Sequence, residues 1–230
     1  MRRKSKGVGD RNSQVIMRYN AKYYYQDKDV AGRYYEKRFN TLPGRFNHFL
    51  EKSFLINGIR KLEIESALDV ACGTGRMTRE LLCLRISNIC GADISQEMLD
   101  LAKIYCGDEN KRLVFKVEDA TDLSFQDNSY DLIISFRFLD HLPEIEKKKA
   151  LSEMIRCSKK FIVFSMANKN RWTILTQKIR KLMNRNYYEG YLINELDILA
   201  FLETQKVKVV RSRLKFPLLS MEIMYFCEKK

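Results

Sequence analysis

The stretch Ala67–Arg76 reads Ala-Leu-Asp-Val-Ala-Cys-Gly-Thr-Gly-Arg, and no other segment constrains the fold as tightly. Leu68 and Val70 suit a buried strand, while Gly73 and Gly75 let the backbone turn tightly with a ligand against it. From Met77 to Leu84 the apolar spacing becomes helical, so the free N–H groups and the positive end of a helix point at the turn. A strand, a glycine turn and a helix also build dinucleotide sites, but their G-x-G-x-x-G pattern puts a third glycine where this chain has Thr78. Asp69, inside the strand, would in addition repel a pyrophosphate. Both features suit a cationic ligand, such as a sulfonium with an amino-acid tail.

Three further segments follow in a consistent order. In Asn88–Met98, Ile89 to Ala92 reads as a short buried strand with Asp93 at its carboxyl end, 18 residues beyond Gly75. A carboxylate placed there in an open α/β sheet accepts both hydroxyls of a ribose. Ser95 caps a helix to about Tyr105, with Glu97 in its first turn. Val114–Ala120 is a strand ending in Asp119, and in Tyr130–Leu142 Asp131 opens an apolar strand that leaves through a loop from Ser135. Strands near 67–71, 89–93, 113–118, 131–136 and 161–165 alternate with helices, which implies a parallel sheet with right-handed crossovers.

Together these segments, from about Leu68 to Phe164, resemble the class I S-adenosylmethionine-dependent methyltransferases, in particular the small-molecule type with a DxxCGTG first motif. The family pattern acidic-x-Gly-x-Gly-x-Gly is met by Asp69, Ala71, Gly73 and Gly75, with Ala71 a small-for-small replacement of the first glycine. The resemblance implies S-adenosylmethionine as cofactor, held by Asp69, Ala71, Gly73, Gly75, Asp93, Ile94, Asp119, Ala120 and Ser135. Asp119 would hold the adenine amino group, and the loop Ser135–Leu142 would lie beside the methyl donor. The implied fold is α/β and Rossmann-like: a seven-stranded sheet, mostly parallel with an antiparallel last strand, and helices on both faces. Val207–Leu214 and Met221–Phe226, joined through Pro217, supply the terminal pair that a dinucleotide-binding domain lacks.

The chain length of 230 residues suits one core, divided here into residues 1–60, a basic tail and aromatic helical lid, and 61–230, the methyltransferase domain. Residues 1–12 are basic, and Ser13–Phe39 reads as helical with Tyr19, Tyr23, Tyr24, Tyr25, Tyr34 and Tyr35. Pro43-Gly44 marks a turn before helical periodicity resumes over Phe46–Ile59. Pro143 opens a helix to about Cys157, in which Lys147, Lys148 and Lys149 read as a solvated face. A basic insertion at about 168–191 has no acid before Glu189, and Trp172, Leu175, Ile179 and Leu182 fall on one helical face. That insertion suits a cover helix over the substrate pocket, a membrane-surface element or a contact for phosphate.

Charge is unevenly placed. Residues 1–61 carry 15 basic against 5 acidic side chains and residues 167–230 carry 13 against 6, while the stretch between holds 14 against 18. Basic flanks suit a small anionic acceptor, RNA or an anionic membrane surface. The chain has no apolar run long enough to span a bilayer and no apolar segment behind its basic start, so a cytoplasmic location is expected. The six cysteines show no C-x-x-C pair, and with two histidines no metal site is expected.

Methyl transfer from a sulfonium is an in-line displacement, so positioning and exclusion of water supply much of the rate. For a hydroxyl or phenol acceptor a base would help, and His141 is the catalytic candidate, with a cap or a cofactor contact as its structural alternative. Asp140 stands where related enzymes often have a first histidine. Arg137, Tyr19 and Trp172 are the candidates for meeting substrate. The segment Ser135-Phe136-Arg137-Phe138 lacks the Asp/Asn-Pro-Pro-aromatic motif of exocyclic base methylation, and no cysteine nears it to attack a cytosine. These readings point to methyl transfer onto O or N of a small acceptor, anionic or lipid-linked, with an RNA acceptor as the alternative.

Overall fold

A computed structural model of the chain describes residues 41–107, 110–169, 171–183, 190–214 and 222–230. The tail, the lid helices with Tyr19, and Pro217 lie outside the described residues, as does the side chain of Trp172.

Seven strands form one sheet: β1 (Ser66–Val70), β2 (Asn88–Asp93), β3 (Leu113–Val117), β4 (Tyr130–Ser135), β5 (Ser158–Ala167), β6 (Val207–Leu214) and β7 (Glu222–Lys229). Their order is β3-β2-β1-β4-β5-β7-β6. The pairs among β1 to β5 are all parallel, and β7 runs antiparallel to both of its neighbours, β5 and β6. This is the expected Rossmann-like methyltransferase sheet. Strand order reverses between β1 and β4, and such a switch point opens a crevice at the carboxyl edge.

Alternation along the strands divides the core into two layers. Leu68, Val70, Ile133, Ile162, Phe164 and Tyr225 point to one face of the sheet. Ala67, Leu132, Ile134, Phe161, Val163, Met224 and Phe226 point to the other, where α1 (Leu42–Ile59) packs with Phe54 and Leu55 fully buried. A Cβ on Gly58 would lie 2.7 Å from the Phe226 ring, so this glycine sets how closely α1 approaches β7. Asp69 shares the parity of Ala67 and therefore faces the α1 layer.

Two local expectations change. Pro43 and Gly44 do not form a turn before the helix; they sit in its first turn, where proline's missing N–H costs nothing and Thr41 Oγ1 accepts from the Gly44 N–H at 3.2 Å. The helix that follows Pro143, Glu144–Cys157, carries Lys147 inward rather than to solvent. Lys147 is fully buried in line with Ala150, Leu151 and Met154, and its Nζ donates to the Tyr191 carbonyl at 2.7 Å. Burial holds its pKa below the ordinary lysine value, with Asp140 and Glu144 pulling the other way.

Candidate active site at the carboxyl edge

The turn after β1 is built from left-handed backbone. Ala71, Gly73 and Gly75 have φ of 55°, 55° and 77°. Ala71 therefore does more than fill the space of a glycine: an L-residue in this region costs roughly 1–2 kcal/mol, held here by the Cys72 N–H donating to the Ala92 carbonyl at 3.0 Å. Gly75 opens α2 (Arg76–Leu82) and donates to the Cys72 carbonyl at 3.1 Å. A Cβ there would lie 2.8 Å from Cys106 Sγ and 3.1 Å from Ala102 Cβ on α3 (Gln96–Cys106). Gly75→Ala is thus expected to destabilise by about 2 kcal/mol or more, read by urea denaturation. A change below about 0.5 kcal/mol would show that the turn tolerates a side chain.

A cleft opens above the turn, bordered by Asp69, Ala71, Gly73, Asp93, Ile94, Asp119, Ala120, Arg137 and His141 among others. Nine of the expected site residues thus meet at one place, Arg137 among them as a substrate candidate, while Ser135 and Gly75 stand outside its lining. The open side of Gly75 faces Cys106 and Ala102 of α3, away from the cleft lining. Ser135 is fully buried beneath the cleft, outside its lining, and its hydroxyl has no hydrogen-bond partner among the described residues.

The three carboxylates are held differently. Asp93 accepts from the Gly73 N–H at 2.8 Å through one oxygen and from the Ser95 N–H at 3.0 Å through the other, which ties the end of β2 to the glycine turn. Burial raises its pKa, while N–H groups of Ser95, Gly73 and Ile94 oppose that rise. Asp119 accepts from both the N–H and the hydroxyl of Thr121, at 3.0 and 2.8 Å, closing a turn after β3. Asp69 accepts from the Thr78 hydroxyl at 2.6 Å, so the residue in the third-glycine position is a ligand of the motif's own carboxylate. Burial raises the Asp69 pKa to about 7 against the Thr78 hydrogen bond and Arg76.

Beyond β4 the loop runs through a turn at Leu139–His141, and Phe136, Phe138 and Leu142 line the cleft beside Arg137 and His141. The Asp140 carboxylate takes the Ala167 N–H at the end of β5, and the Asp140 carbonyl accepts from the Tyr191 N–H at 2.8 Å. Arg137 adopts a φ of 59°, and its Nε donates to Glu51 at 2.6 Å.

Glu51, on α1, is the site residue that the sequence reading missed. Fully buried, it also meets Arg76 Nη1 at 2.6 Å, so one carboxylate joins two guanidiniums that border the cleft. Arg76 Nη1 also reaches His48 Nδ1 at 2.7 Å, and His48 Nε2 lies 3.0 Å from Glu80, which pairs with Lys52 at 2.6 Å. A guanidinium only donates, so Nδ1 must accept and Nε2 must carry the proton. Neutral His48 agrees with a pKa lowered by burial and then by Arg76. The available signal was Glu51 itself: a carboxylate three and four residues before the core pair Phe54 and Leu55 sits on an apolar face and needs a buried partner.

The sheet order, the left-handed glycine turn and acidic residues at consecutive strand ends are those of a Rossmann-like methyltransferase fold. Residues 67–160 match the family model of the methyltransferase domain. The chain is 33% identical over 124 residues to a demethylmenaquinone methyltransferase of Clavibacter sepedonicus, covering 53% of this chain and 48% of that protein. A ubiquinone biosynthesis O-methyltransferase of Coxiella burnetii is 27% identical over 125 residues, 50% of this chain and 53% of that protein. The chain spans about half or less of the length of the curated relatives it matches first. In fold, it is similar to magnesium protoporphyrin IX methyltransferase from Synechocystis PCC 6803 with bound SAH, with a TM-score of 0.73 at 16% identity over 93% of this chain and 99% of that one.

Proposed function

We propose that the cleft binds S-adenosylmethionine and that the chain transfers its methyl group to O or N of a small acceptor, anionic or lipid-linked. The observation that carries this reading is the convergence of Asp69, Asp93 and Asp119 on one cleft around the left-handed turn. Bound there, the cofactor supplies an electrophilic methyl group with a neutral thioether as leaving group. In this reading Asp93 accepts from the ribose hydroxyls, Asp119 accepts from the adenine amino group, and Asp69 meets the positive end of the methionine moiety. Phe136, Phe138 and Leu142 exclude water from the reacting centre, Arg137 faces an acceptor's negative charge, and His141 takes the proton released by a hydroxyl acceptor.

Asp93→Ala is expected to weaken S-adenosylhomocysteine binding at least tenfold, about 1.4 kcal/mol, by calorimetry. Unchanged affinity would remove Asp93 from the cofactor site. The acceptor class is tested with labelled methyl donor against small quinols, phenols and carboxylates on one side and RNA on the other. Label in RNA, with binding that falls steeply with salt, would favour the nucleic-acid acceptor.

A further inference from the structure

The helix α5 (Arg171–Met183; the helix at Glu144–Cys157 being α4) follows β5 at the carboxyl edge and is turned with its polar side inward. Thr173 is fully buried, its hydroxyl donating to the Asn168 carbonyl at 2.8 Å, and Gln177 Nε2 reaches the Gly190 carbonyl at 3.4 Å. Leu175, Ile179, Leu182 and Met183, at helical spacing, form the opposite side and are 46%, 47%, 87% and 82% exposed. None of the described side chains of α5 borders the cleft, so the cover-helix expectation does not hold for them. An amphipathic helix that presents its apolar stripe to water leaves that stripe for something else to cover.

Charge selects the occupant. The helix carries Arg171, Lys178, Arg180 and Lys181 and no acidic residue, and Lys178 and Lys181 are exposed next to the stripe. A second copy would bring the same positive helix against itself. Residues 1–61 are also basic, 15 against 5, and repel it likewise. RNA would use the lysines but not a stripe of Leu, Ile and Met, since bases stack on aromatic rings. Leucine and isoleucine flanked by lysine suit the boundary of an anionic bilayer, where the apolar face sinks between acyl chains and the ammonium groups meet lipid phosphates. No helix among the described residues is long and apolar enough to cross a membrane, so this contact lies on the surface.

We infer that α5 is an interfacial helix that docks the carboxyl edge of the sheet onto an anionic lipid surface. The contact is continuous with the site: Gln177 bonds Gly190, and the next residue, Tyr191, bonds Asp140 in the turn that carries His141 to the cleft. Docking there puts the mouth of the cleft within reach of an acceptor dissolved in lipid. The surface itself does not rest on methyl transfer, because its binding is read without cofactor or acceptor.

The full chain is mixed with vesicles of phosphatidylcholine, alone or with about one quarter phosphatidylglycerol, and bound protein is measured by flotation. Strong binding to the anionic vesicles is expected, reduced at least tenfold in I179E/L182E with thermal midpoint and S-adenosylhomocysteine affinity unchanged. K178A/K181A is expected to weaken binding to anionic vesicles only. Absence of flotation by the unmodified chain overturns the inference, as does binding that I179E/L182E leaves intact. A dimer in light scattering that I179E/L182E dissociates would overturn it in favour of a second copy, and an RNA complex lost in the same variant would overturn it in favour of nucleic acid.

Discussion

Glu51→Gln is expected to lower the unfolding free energy by about 3–5 kcal/mol, the cost of leaving buried charge without its counter-charge. Glu51 is fully buried, and the side chains of Arg76 and Arg137 are only 9% and 13% exposed. Both contacts are 2.6 Å, so the carboxylate offsets two desolvated cations that would otherwise repel each other. For a domain of this size the loss corresponds to a fall in Tm of roughly 6–20 °C. The glutamine keeps the shape and one acceptor, so the effect isolates charge. A second measurement guards against a general packing defect: in Glu51→Gln/Arg137→Leu one cation leaves with its anion, and part of the stability should return. A fall of less than about 2 °C in the single variant would show that water already reaches these groups. The same network carries pH dependence. His48 has a folded pKa below its unfolded value, so its neutral form favours the fold above about pH 6.5, and that contribution is lost as acid charges it against Arg76.

How far the sequence was legible follows from the range of each interaction. The strand, turn and helix at Ala67–Leu82 were readable because each step is local: β-compatible residues, glycines for positive φ, then helical spacing. Asp93 and Asp119 were readable as strand ends, and the structure places both at the cleft. Ala71 was readable as small, but its left-handed torsion was not, because nothing in an alanine announces φ of 55°. Lys147 hid in a run of three lysines, although its spacing to Ala150, Leu151 and Met154 marks the buried face. Glu51 and Arg137 are 86 residues apart, and no sequence pattern pairs them. In α5 the polarity of the faces was legible but not which one meets the fold, since Thr173 and Gln177 satisfy their side chains on nearby backbone.

Asp69→Asn is expected to stabilise the free protein above neutral pH while weakening cofactor binding at least tenfold. Burial raises the Asp69 pKa from 3.8 to about 7, so the folded state holds a proton that the unfolded state has released across that interval. Stability from this group is therefore fully present below about pH 4 and is lost as pH rises through 7. The full loss is on the order of 4 kcal/mol. Asparagine carries no such charge and keeps an acceptor for the Thr78 hydroxyl. Its advantage over the parent should thus be near zero at pH 4, grow through pH 5 and 6, and level off above pH 7 in urea denaturation. Under the proposed function the cofactor would reverse the preference, because a sulfonium and an ammonium beside Asp69 would favour the carboxylate. Binding to the parent should strengthen as pH rises toward 7 and should release protons below it, read by calorimetry in two buffers of different ionisation enthalpy. The asparagine variant should lose both effects. Were it less stable than the parent at pH 8, burial would not be the dominant influence on Asp69. Were it to bind the cofactor as tightly, the buried carboxylate would have no part in meeting a positive ligand, and its retention at a cost to the fold would need another cause.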